Sequence, residues 1–375
     1  MAAAPSPLVF AFLFPVPTPS YTPHSFPGEL LWIPQSLDYS SRDKGECVPA
    51  VLLLCPNARY LVLYLHSNGE DLGLSYYFAS GLRALLEVHV LIVEYPGYGI
   101  YGGRRPSEES LSAVADLSFR FVTDVLGIPS SDIILMGRSL GAALATQLAR
   151  RHPETHGLIL LAPFLSLVEA FRQFVGQDLA TMFVDAIFCN DSLMKGMQVP
   201  MLIVHGQADT LVSCEQGRKL FDLCDSKQKL FVSPADLGHN ADMLSDPEFL
   251  VRPILSLFAL PDYSFEEIRV PPEAFDKTLC PLYHGLVELT RHDGPLRKLD
   301  GDDEDPSCDV ALDTPAADER ELGELEEGFH RWPPKAQEPF ENGLPGLNEL
   351  DIDSGISRFL DESMADLRLP DEWDG

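Results

Sequence analysis

From Tyr60 onward, short apolar runs alternate with amphipathic stretches. YLVLYLH (60–66), HVLIVEY (89–95), DIILMG (132–137), GLILLAP (157–163), MLIVHG (201–206) and KLFVSP (229–234) are continuous and rich in branched residues. That is the pattern of strands buried on both faces. ELLWIP (29–34) and VLLLC (51–55) are candidates to begin the same sheet. Residues 107–127 and 140–152 read as helices, the first with Ser107 at its N-cap and Gly127 at its end. Repeated strand–helix alternation predicts an α/β fold, a mostly parallel central sheet flanked by helices.

Two stretches break this rhythm. Residues 164–198 are longer than a plain crossover and rich in Phe, so they form either a cap with an apolar pocket or a long packing helix with a loop. After Pro261 the periodicity decays into a charged, Pro-containing segment. The expected organisation is an N-terminal extended segment (1–28), a domain (29–260) and an acidic, largely disordered tail (261–375). Short helices are expected at 318–328 and 356–367. Leu344, Leu347, Ile352, Ile356 and Phe359 recur in the tail, as a partner-binding motif or within a simple solubilising tail.

Charge narrows the function classes. The net charge is -30 over 375 residues. Residues 262–375 hold 31 acids and 10 bases, or -21 of that total, leaving an ordinary -9 for the rest. No basic stripe is present, so nucleic-acid binding is not expected, nor is strong attraction to anionic membranes. The 7 cysteines are odd in number, scattered and without a CxxC pair. A reducing, cytoplasmic setting without disulfides or zinc follows. The apolar run from Leu8 to Phe14 is too short to span a bilayer and lacks a charged segment before it. Ala2 stands where myristoylation needs glycine, and there is no CaaX ending. An extended segment packed on the domain is the first reading of this run, and a peripheral membrane contact the second.

The chemistry centres on Gly137-Arg138-Ser139-Leu140-Gly141, a G-x-S-x-G pattern between a predicted strand and a predicted helix. A serine on such a turn projects above the sheet, with helix N–H groups beside any developing oxyanion. Its hydroxyl needs a base and an orienting acid, expected downstream in the order acid, then histidine. Asp209 follows the strand MLIVHG and His239 follows KLFVSP, both in loops at strand ends. His205 lies within a predicted strand and reads as a packed histidine; His152 and His156 flank Pro153 on the surface. Asp236 and Asp242 read as caps or turn residues. The backbone N–H groups of Leu140 and Asn68 are the expected oxyanion donors, with Ser67 the alternative to Asn68. YPGYGIYGG (95–103) shapes the loop behind the site, where Tyr98 is a candidate substrate contact.

Taken together, HSNGEDLG, EYPGYGIYGGRRPSEES, GRSLG, HGQADTLV and GHN resemble the α/β-hydrolase-domain proteins of the branch that includes membrane-associated protein depalmitoylases. The resemblance covers about residues 13–260 and includes FPVPTPSYTP near the N-terminus. It implies an α/β-hydrolase fold and a serine esterase or thioesterase, with S-acylated proteins among its candidate substrates. It maps Ser139 as nucleophile, Asp209 as acid and His239 as base. Two features depart from the branch. The first cysteine is Cys47, where depalmitoylases carry a cysteine-rich N-terminus, and His66-Ser67 replaces a common H-G.

The expected mechanism is two-step acyl transfer without metal or organic cofactor. Activity should fall as pH drops through the histidine range, about 6.5 for a free side chain. The alternatives are a catalytically silent hydrolase fold that binds partners through its acidic tail, and a serine peptidase of the same fold.

Overall fold

Among the described residues, eight strands form one sheet in the order β1-β2-β4-β3-β5-β6-β7-β8. In chain order they are Leu30–Pro34, Cys47–Leu53, Leu61–Leu65, His89–Val93, Ile133–Arg138, Gly157–Leu161, Met201–Val204 and Lys229–Val232. All eight fall on or within a residue or two of the apolar runs, except that β2 begins four residues early. The computed structural model describes residues 14–41, 44–102, 105–175 and 187–280. Strands β3 to β8 pair in parallel, while β1 and β2 are antiparallel. β1 to β7 are buried along their whole length, as continuous apolar runs require; the edge strand β8 is only partly covered.

Among the described residues, seven helices accompany the sheet: α1 Leu72–Leu86, α2 Glu108–Arg120, α3 Leu140–Arg151, α4 Leu167–Val175, α5 Asn190–Met194, α6 Cys214–Leu223 and α7 Val251–Phe258. Ser107 caps α2, its side chain accepting from Ser110 N–H, as expected. A π-turn at Phe121–Val125 follows α2, so the helix proper stops short of Gly127. The amphipathic α1 starts at Asp71, whose carboxylate accepts from Leu74 N–H, satisfying an end donor. Leu72, Ala79, Leu82 and Leu86 of α1 share one core cluster with Ile254 and Phe258 of α7.

The winding positions the site. β3 and β5 are neighbours, but the chain leaves β3 for β4 on one side and continues from β5 to β6 on the other. This reversal of direction opens a crevice at the carboxyl ends of the strands.

Two expectations change. Ordered packing runs past the expected boundary at 260: Tyr263 bridges Ala58, Arg59 pairs with Asp262 at 2.9 Å, and Ala274 and Cys280 are buried. The acidic average of the tail hides these few apolar anchors. The N-terminal segment is not extended throughout, because turns fill the stretch before β1. After Pro163 the described residues include α4 and, beyond 176–186, the short α5. Residues 176–186, on which the choice between cap and packing helix depends, lie outside the described residues, as do 1–13 and 281–375 with the tail motifs.

Candidate active site

Ser139 sits between β5 and α3 with φ 51° and ψ −111°, a left-handed conformation that non-glycine residues adopt only when the surroundings enforce it. The neighbouring glycines explain how. A Cβ on Gly137 would lie 2.6 Å from the backbone nitrogen of Ala142, and one on Gly141 would lie 2.6 Å from the carbonyl oxygen of His66. Strand, turn and helix therefore close up only when both positions lack side chains. Closure brings the start of α3 against the end of β3 and leaves Ser139 half-exposed.

His239 lies on an irregular loop after β8, with Nε2 3.2 Å from Ser139 Oγ and Nδ1 2.7 Å from Asp209 Oδ2. With Nδ1 protonated towards the carboxylate, Nε2 is left to accept the serine O–H. Asp209, after β7, is nearly inaccessible. Its Oδ1 accepts from the N–H groups of Leu211 at 2.9 Å and Val212 at 2.8 Å. Burial alone would push its pKa up. The hydrogen bonds from His205 and His239 and the nearby imidazole outweigh that and hold it below the usual carboxylate range.

His205 does more than pack. Its Nε2 is 2.9 Å from the carbonyl of Val212 and 3.2 Å from Asp209 Oδ2, so one N–H braces both ends of the Asp209 turn. The sequence shows a histidine four residues before an aspartate, but not that the chain folds back between them. His152 stacks on Phe119 and His156 meets the carbonyl of Phe258 at 3.0 Å. Asp242 accepts from Leu244 N–H in a turn, as expected, and Asp236 is exposed.

The loop after β3 carries Ser67 and Asn68. Ser67 N–H is directed to Glu70 Oε2 at 3.4 Å, while the Asn68 side chain accepts from Tyr98 O–H at 2.6 Å. Tyr98 is thus buried beneath the loop. Leu140, the first residue of α3, offers an N–H that has no partner within the helix. Below the loop, Glu94 and His66 are both buried and lie 3.4 Å apart. Desolvation disfavours the His66 cation, but Glu94 overrides it and raises its pKa. Tyr21 donates to Glu94 at 2.8 Å. Ser20 bonds Asp71 through both its backbone N–H, at 2.6 Å, and its hydroxyl. The N-terminal segment therefore straps the loop from outside. Sequence reasoning missed this strap because its partners lie 51 and 73 residues away.

Among the described residues there is no cluster of His, Cys, Asp and Glu suited to a metal ion, and no helix is long and apolar enough to cross a membrane.

Comparison with known proteins adds a lineage to this geometry. The model of the alpha/beta hydrolase family matches residues 62–328. Alpha/beta hydrolase domain-containing protein 17B of Xenopus tropicalis is 31% identical over 216 residues, covering 54% of this chain and 72% of that protein. Protein 17C of the same organism is 30% identical over 200 residues, and the match spans 62% of its length, under two thirds. The aho-3 protein of Caenorhabditis elegans is 28% identical over 257 residues, 63% of this chain and 74% of that one. Among solved structures, an esterase of Pyrococcus furiosus superposes with a TM-score of 0.51 at 14% identity, covering 66% of this chain and 98% of that one; this is a likeness of fold.

Proposed function

This chain belongs to the alpha/beta hydrolase family, and we propose that it is a serine hydrolase cleaving an ester or thioester through an acyl-enzyme. The observation that carries the reading is the relay at the elbow. Ser139 Oγ lies 3.2 Å from His239 Nε2, whose other nitrogen lies 2.7 Å from Asp209. His239 takes the Ser139 proton as Oγ attacks the carbonyl carbon, and returns it to the departing alcohol or thiol. Water activated by the same imidazole then hydrolyses the acyl-enzyme. Asp209 holds the tautomer and stabilises the imidazolium.

The oxyanion is held by the N–H groups of Leu140 and Asn68. Ser67, whose N–H faces Glu70, is the neighbouring alternative to Asn68. No step requires a metal or organic cofactor.

The substrate class follows from the motif resemblance: an S-acylated protein, with the thioester carbonyl at Ser139. The setting is cytoplasmic, with peripheral contact at membranes where such substrates reside. Labelling of the full chain with a fluorophosphonate probe, beside Ser139→Ala, tests the chemistry. Labelling of wild type but not the variant is expected. A folded wild type that stays unlabelled would favour the silent, partner-binding alternative. Ester and thioester panels then decide the scissile bond.

A further inference from the structure

We propose that Arg138, at the variable position before the nucleophile, is a positioning residue that clamps the base-bearing loop over Ser139. The inference rests on the serine-hydrolase reading above.

Arg138 ends β5, on the same face as the core residues Ile134 and Met136. Its side chain is buried where an apolar residue would complete that face. Among the described residues it forms no ion pair. Its Nη2 instead donates to the carbonyl of His239 at 2.7 Å and to that of Ala241 at 3.1 Å. Its buried Nε has no hydrogen-bond partner. A guanidinium removed from water and only partly satisfied is costly to keep.

What the arrangement provides is a link. Arg138 is joined to Ser139 by one peptide bond and to His239 by one hydrogen bond. The stretch that carries His239 is irregular, lacking the ladder hydrogen bonds that hold a strand. The imidazole is fixed to Asp209 at one nitrogen, but that contact does not set its distance from the serine. The guanidinium does so, by holding the backbone of the base to the backbone of the nucleophile. The carbonyls of His239 and Ala241, two residues apart, are both reached from one nitrogen, Nη2, a donor-only group held in the rigid guanidinium plane.

The test uses saturation kinetics of fluorophosphonate labelling on the 375-residue chain. It compares wild type, Arg138→Met and Arg138→Lys, with thermal melts in parallel. The clamp predicts that Arg138→Met lowers the maximal labelling rate by about 10- to 100-fold, the scale of an ångström misplacement of a catalytic group. The half-saturating probe concentration should change little. Arg138→Lys, which reaches a carbonyl with its ammonium, should recover part of the rate. If Arg138→Met does not fold, Arg138→Lys alone must show the rate loss at unchanged half-saturation. Full-rate labelling of either folded variant would overturn the clamp and leave the serine-hydrolase reading intact. So would losses in Met and Lys variants that merely track their melting temperatures. A folded but unreactive wild type would overturn both.

Discussion

Asp209 accepts from the backbone N–H groups of Leu211 and Val212 and from the His239 imidazole, and His205 Nε2 lies 3.2 Å away. Replacing it with Asn keeps the shape but favours the wrong His239 tautomer. Asp209→Asn should lower the rate constant for ester hydrolysis by about 10⁴-fold, read by steady-state kinetics. The same residue links stability to acid. Its folded pKa lies below the unfolded value of about 3.9, so its contribution is fully present above that value and is lost as pH falls through the folded pKa. Chemical denaturation between about pH 5 and 2 should therefore show a shallower loss of stability in Asp209→Asn than in wild type. At Gly141 the constraint is steric. A methyl there meets the carbonyl of His66 at 2.6 Å, and Gly141→Ala should cost about 1–3 kcal/mol by denaturant titration while displacing Ser139.

The loop after β3 depends on an element that precedes the sheet. Tyr21 and Ser20 reach Glu94 and Asp71, and Asp71 also caps α1. Tyr21→Phe leaves the ring in place but strips one donor from the buried Glu94. The expected cost is about 1–3 kcal/mol in unfolding free energy, with a drop in labelling rate as the Asn68 loop loosens. A variant that labels at the wild-type rate would show that the loop stands without the strap. The strap was not legible in the sequence, since FPVPTPSYTP has neither helical nor strand periodicity. Its order comes from side chains that find acceptors far along the chain.

In the whole domain, the packing beyond residue 260 gives a further expectation. A chain ending at Leu260 loses the Arg59–Asp262 pair and the buried Ala274 and Cys280. It should melt several degrees below the full chain by calorimetry, since even about 1–2 kcal/mol is visible there. The pattern of apolar runs determined the eight strands, because a strand covered on both faces must be continuously apolar. G-x-S-x-G determined the elbow, because only glycine fits where strand and helix meet. Position in the loops after the strand runs singled out Asp209 and His239 from their rivals, because loops at parallel strand ends converge on one rim. Tertiary structure alone decided the partners across the chain: His205 on Asp209, the N-terminal strap on Glu94, and Arg138 on the loop of the base. Those contacts pair residues through carbonyls and carboxylates that have no fixed spacing in sequence, so only the closed fold brings them within hydrogen-bond reach.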